Sequence, residues 1–76
     1  MNDPYLEEVG VRIKAWRVRR RVSQDVLAER AQVSRVTLGS IERGEHAATL
    51  TTYRKVAVAL GVDVGDLVSE REPSWL

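Results

Sequence analysis

Between Val22 and Gly44 the chain reads VSQDVLAERAQVSRVTLGSIERG, and the second half of this stretch has two unlike sides. At about 100° per residue, Val36, Gly39, Ser40 and Arg43 share one face of a helix, with Arg35 at its leading edge. Leu38 and Ile41 point the other way. A guanidinium fork donates in a fixed geometry, a hydroxyl both donates and accepts, and a valine offers a small apolar contact. Such a set suits recognition of a polar, charged surface rather than bond making. Two short helices joined by a tight turn form a helix-turn-helix, a unit whose second helix is shaped to enter the DNA major groove.

The elements that must hold this face follow from caps and spacing. A first helix is predicted from Asp3 or Pro4 to Arg20. Asp3 caps it, Pro4 fits the first turn, and Glu7 and Glu8 oppose the positive end of the helix dipole. Leu6, Val9, Ile13 and Trp16 form its core stripe. Ser23 caps a second helix, Gln24 to Ala31, with Leu27, Ala28 and Ala31 facing inward, and the small Ala28 lets the next helix cross closely. Ser34 caps the third, Arg35 to Arg43, which Gly44 ends by tolerating the left-handed conformation. Thr49 caps the fourth, with Leu50, Tyr53, Val56, Ala57 and Leu60 as its stripe and Gly61 as its stop. Asp63 and Asp66 start a short fifth helix that buries Leu67, with Val64 beside it. No strand-like alternation and no internal repeat occur. The expectation is an all-α, compact five-helix bundle over 1–68, followed by a charged, flexible tail, 69–76.

A chain of 76 residues makes one small domain, which buries only about 60% of its unfolded surface. It has no cysteine, so neither a disulfide nor a thiolate zinc site can staple it. Dimerisation remains as a source of stability. The N-terminus shows no basic-then-apolar signal pattern and no apolar run approaches membrane length, so a cytoplasmic location is expected. The net charge of +1 conceals an asymmetry. Residues 12–35 carry eight basic residues against two acidic, a local +6, while residues 36–76 carry four against six, a local −2. The basic part coincides with the helix-turn-helix and the helix before it, where phosphates would lie.

Catalysis and metal binding are not expected. There is one histidine, His46, no phosphate-binding glycine loop, and the carboxylates are scattered over caps and tail. No cofactor is expected. Trp16 is read as a core anchor, and Trp75 as incidental or as a contact to a partner.

VGVRIKAWR, VSQDVLAERAQVSRVTLGSIERG and LTTYRKVAVALGVDVGDLV together resemble the Cro/C1-type helix-turn-helix family, also called XRE, from about Val9 to Val68. The resemblance implies a lambda repressor-like five-helix domain, usually dimeric, that binds an operator. It implies base reading by Arg35, Val36 and Ser40, with arginine suited to bidentate pairing with guanine. It implies phosphate contacts from Gln24, Thr37 and Arg43, and a structural salt bridge between Arg17 and Glu42. Arg21 and Gln32 stand where the family commonly has glycine, and Ala47-Ala48 where it often has proline. If either of the first two sites needs a positive φ, the substitution costs roughly 1 kcal/mol.

The function expected is a small sequence-specific double-stranded DNA-binding transcriptional regulator. It would act as a homodimeric repressor or activator that controls its own gene, as phage repressors and restriction-modification controllers do. The alternative is an antitoxin or adaptor-like protein-binding module, with DNA binding secondary and a toxin or RNA polymerase as partner. One helix-turn-helix covers only a half-site, which argues for a dimer. Val62, Val64 and Val68 are the apolar surface expected to form it.

Overall fold

The computed structural model describes residues 3–69. Five helices follow one another: α1 (Pro4–Arg19), α2 (Gln24–Ala31), α3 (Arg35–Glu42), α4 (Leu50–Leu60) and α5 (Val64–Val68). The predicted tail and Trp75 lie outside the described residues, Ser69 excepted.

Each boundary has a local cause. The side chains of Asp3, Ser23, Ser34 and Thr49 each accept a backbone N–H from the first turn of the helix they precede. Asp66 closes the capping box of α5 by accepting the Asp63 N–H at 3.0 Å. Gly44 and Gly61 both adopt φ +74°, after α3 and at the end of α4. Arg21 and Gln32 adopt φ +58°, so both sites do need the left-handed conformation that glycine takes freely. Two helices stop one residue earlier than expected. Arg20 and Arg43 are C-caps rather than last helical residues, and their N–H groups still bond back to the preceding turn.

The core joins Val9, Ile13 and Trp16 of α1 to Leu27, Ala28 and Ala31 of α2 and to Leu38 and Ile41 of α3. Tyr53, Val56, Ala57 and Leu60 of α4 and Leu67 of α5 complete it. Leu6 and Leu50 depart from their expected stripes: Leu6 is half-buried and Leu50 is 68% exposed at the first position of α4. α1 packs on α3 and α5, and α2 packs on α3 and α4. α1 comes close to the end of α3 at Gly10, where a Cβ would lie 2.4 Å from the Glu42 carbonyl oxygen. At Gly44 a Cβ would sit 2.7 Å from the Glu7 Cα. Across the chain ends, the Tyr5 hydroxyl donates to the Val68 carbonyl, tying α1 to α5. Among the described residues no helix is long and apolar enough to cross a membrane.

Candidate nucleic-acid interface

The inner side of α3 is fixed before the outer side can read anything. Leu38 and Ile41 are buried, and so is the carboxylate of Glu42. Arg17 of α1 grips that carboxylate through two bonds, Nε to Oε2 at 2.8 Å and Nη2 to Oε1 at 3.1 Å. Its Nη1 donates to the Val22 carbonyl at 3.1 Å. The pair is largely shielded, with side-chain exposures of 13% for Arg17 and 3% for Glu42. A bidentate guanidinium–carboxylate pair fixes orientation as well as distance. The expected structural salt bridge is thus present in the folded chain, and it ties α1 to the end of α3.

Gln24 joins the same network. Its Nε2 donates to Glu42 Oε1 at 3.1 Å, which makes the carboxylate a junction of α1, α2 and α3. The sequence expectation placed Gln24 on a phosphate and did not foresee this bond. An amide nitrogen carries two hydrogens, so one remains for a phosphate. Gly39 lies beside these side chains. A Cβ there would lie 3.2 Å from Arg43 Nη1 and 3.9 Å from Gln24 Oε1.

The outer side of α3 is open. Val36 is 75% exposed, more so than Val11, Leu50 or Val58. Arg35 is exposed and reaches back to α2, with Nε 2.7 Å from Asp25 Oδ1. Both partners of that pair are well solvated, which makes it easy to release. Ser40 is half-buried and accepts from Arg43 Nη2 at 3.4 Å, while Arg43 Nε donates to Glu45 at 3.0 Å. Thr37 is tied locally. Its N–H donates to Ser34 Oγ at 2.9 Å, and the Ser34 hydroxyl donates to its Oγ1 at 2.8 Å. Arg35, Val36, Ser40 and Arg43 thus share one accessible face, with Gln24 and Thr37 at its edges.

Not every cation of the basic stretch is offered to solvent. Arg17 holds Glu42. Arg20 donates from Nε to the Leu60 carbonyl at 2.9 Å and lies 5.1 Å from the Trp16 ring centroid. Arg12 is half-buried, with its Nη1 withdrawn from solvent. The local +6 read along the chain therefore overstates the charge available to phosphates, because Arg17 is committed to Glu42 and Arg12 is half-buried, whereas Arg20 stays exposed despite its bond to Leu60. No group of three or more His, Asp or Glu side chains among the described residues is arranged to hold a metal ion.

Residues 13–67 match the helix-turn-helix family HTH_3, the Cro/C1-type or XRE family. The chain belongs to that family. This family stretch begins in the middle of α1 and ends at Leu67, so it spans the whole recognition unit and its support. The immunity repressor protein of Bacillus phage phi105 is 47% identical over 62 residues, covering 82% of this chain and 43% of that protein. The chain therefore spans less than half of that repressor's length. The restriction-modification controller protein C.AhdI from Aeromonas hydrophila superimposes with a TM-score of 0.80 at 31% identity, covering 82% of this chain and 94% of that one. A chain of the SinR protein–SinI protein complex superimposes at 0.78 with 33% identity, covering 88% and 70%.

Proposed function

We propose that this HTH_3 protein is a sequence-specific double-stranded DNA-binding regulator of transcription that acts as a homodimer in the cytoplasm and catalyses no reaction. The observation that carries the reading is the division of α3 into a locked inner side and an open outer side. Arg35, Val36 and Ser40 read base edges: arginine pairs with guanine, valine packs on a thymine methyl, and serine bonds to more than one base. Gln24, Thr37 and Arg43 set the register on the phosphates. Gln24 and the first N–H groups of α2 lie together, where a helix N-terminus favours an anion. Arg35 leaves Asp25 when it meets a base, at little cost because the pair is solvated on both sides. The repressor and controller relatives support the reading of a DNA-binding regulator, and control of its own gene is the form of it put to the test.

The test is binding of the protein to duplex DNA from upstream of its own gene at several salt concentrations, beside Arg35→Ala. Tight binding that falls steeply with salt, together with loss of preference by the variant of about ten-fold or more, is the expected result. Weak binding that ignores both sequence and Arg35 would remove the proposal and favour the protein-binding alternative.

A further inference from the structure

The outer side of α1 carries two features that call for a cover. One is an apolar groove of about 500 Å³ lined by Val11, Lys14, Ala15, Val18 and Arg19. Val11 and Val18 are 65% and 59% exposed there. The other is Arg12, which is half-buried and whose Nη1 is withdrawn from solvent without a hydrogen-bond partner. A buried donor left unpaired costs stability, and exposed β-branched residues are poor helix formers. A segment laid along this side would repair both. The chain supplies one. The Tyr5 hydroxyl donates to the Val68 carbonyl, so the chain beyond Ser69 sets out from the start of α1. It continues as Glu70, Arg71, Glu72, Pro73, Ser74, Trp75 and Leu76, acids first and two large apolar side chains last.

Length and charge both match. At about 100° per residue, Arg12 stands between Tyr5 and Ala15 around α1, and Val11 and Val18 follow just beyond Ala15. Arg12 lies about 10 Å from Tyr5 along the axis, and an extended chain carries Glu72 about 13 Å from Val68. Ala15 lies about 15 Å along the axis and about 8 Å around it, within the reach of about 23 Å that Trp75 has from Val68. Glu72 therefore meets Arg12 as Trp75 arrives at the groove. The charge between them agrees as well. Glu8 is exposed on the same path, and Arg71 stands between the two acids of the tail. An indole suits an apolar floor with Lys14 and Arg19 at its rim, because an aromatic face attracts cations.

We propose that residues 70–76 run back along the outer side of α1 within one copy of the chain, with Glu72 paired to Arg12 and the Trp75 indole seated on Ala15 and Val18. Gly10 and Arg17, which face α3, lie on the other side of the helix, so the contact leaves the reading helix untouched. The proposal goes beyond the DNA-binding reading and stands or falls without it. A surface ion pair and one docked ring make a weak contact. The tether compensates, because a short linked segment stays at high effective concentration near its groove.

Acrylamide quenching of tryptophan fluorescence in the full chain tests the proposal. Trp75→Phe leaves only the core Trp16, so the difference between the two proteins reports Trp75. The expected quenching of Trp75 is about three-fold or more below that of a free tryptophan derivative, as a mostly docked ring requires. Val18→Glu, at an exposed site, should raise it to nearly the free value. Arg12→Glu and Glu72→Arg should each raise it about two-fold, and the double variant should restore the protection. Thermal melts by circular dichroism check folding. If the half-buried Arg12 does not tolerate its change, Glu72→Arg and Val18→Glu still decide. Four results would each overturn the proposal: Trp75 quenched as freely as the derivative, protection indifferent to Val18→Glu, a folded double variant no better than its singles, or protection lost on dilution, which would assign the ring to another copy.

Discussion

Replacing Glu42 with glutamine tests whether the network under α3 holds the reading helix in place. The change is nearly isosteric and removes one charge from a site where the carboxylate is 3% and its arginine partner 13% exposed. Three donors now converge on that carboxylate: Nε and Nη2 of Arg17 and Nε2 of Gln24, at 2.8, 3.1 and 3.1 Å. A glutamine offers one acceptor oxygen and one NH₂ group, so its nitrogen must face one of these donors. Arg17 is left charged, mostly desolvated and without its counter-ion. Breaking one side of a buried pair costs about 3–5 kcal/mol. The partial exposure of Arg17 puts the expectation at the lower end, about 3 kcal/mol. For a domain of this size that lowers Tm by on the order of 15 °C. Thermal melting and urea denaturation both read it. The double variant Arg17→Met/Glu42→Leu removes both charges at once and should recover most of the loss, since an apolar pair of similar volume is often neutral or better. A Glu42→Gln protein within about 0.5 kcal/mol of the natural chain, or a double variant that loses the sum of the two single costs, would refute the reasoning.

Asp25→Asn frees Arg35 from its ion pair and removes a carboxylate from the reading side. Stability should move by less than about 0.5 kcal/mol, as expected for a solvated pair, while DNA affinity rises a few-fold at low salt; an unchanged affinity across a salt titration would mean that Arg35 is not held back. Gly10→Ala drives a Cβ to 2.4 Å and 2.6 Å from the Glu42 and Ile41 carbonyl oxygens, and backbone cannot swing aside as a side chain can. Overpacking of about 1–3 kcal/mol, less the roughly 1 kcal/mol that alanine gains in a helix, leaves a net loss of up to about 2 kcal/mol and a measurable fall in DNA affinity. Gly65→Ala, where a Cβ meets nothing within 4 Å, is the control and should melt no lower than the natural chain.

Most of the fold was legible because its signals are local. Each cap bonds to a group in the next turn, and each stripe needs only the helical period. Gly44 and Gly61 announce their own positive φ. Arg21 and Gln32 do not by their residue type, and only the resemblance, which puts glycine at both sites, pointed to the φ of +58°. The site was legible as positions on a face but not as partners. Arg35 with Asp25, and Gln24 with Glu42, depend on how α2 crosses α3, and nothing in the spacing along one helix contains that angle. Gly10 carried a readable signal, a glycine inside an amphipathic helix, which marks a close approach without naming the neighbour. The charge count misled for the same reason. A run of cations does not show which of them turn inward, as Arg17 does to hold Glu42.

The two sides of α3 have separate causes, and that separation has a consequence for change. Leu38, Ile41 and Glu42 set where the helix lies, through the core and through Arg17 of α1. Arg35, Val36 and Ser40 carry none of that load: the first is held by a solvated ion pair, the second touches mostly water, and the third meets Arg43 across 3.4 Å. Under the proposed reading, substitutions at these three positions redirect what the helix reads without loosening what holds it. Thr37 is the exception on the outer edge, because its Oγ1 accepts from the Ser34 hydroxyl that caps the helix, so replacing its side chain loosens that capping residue as well as the contact. A domain this small has no second scaffold to fall back on, and its reading side stays free to vary only while Gly10, Arg17, Gln24 and Glu42 do not.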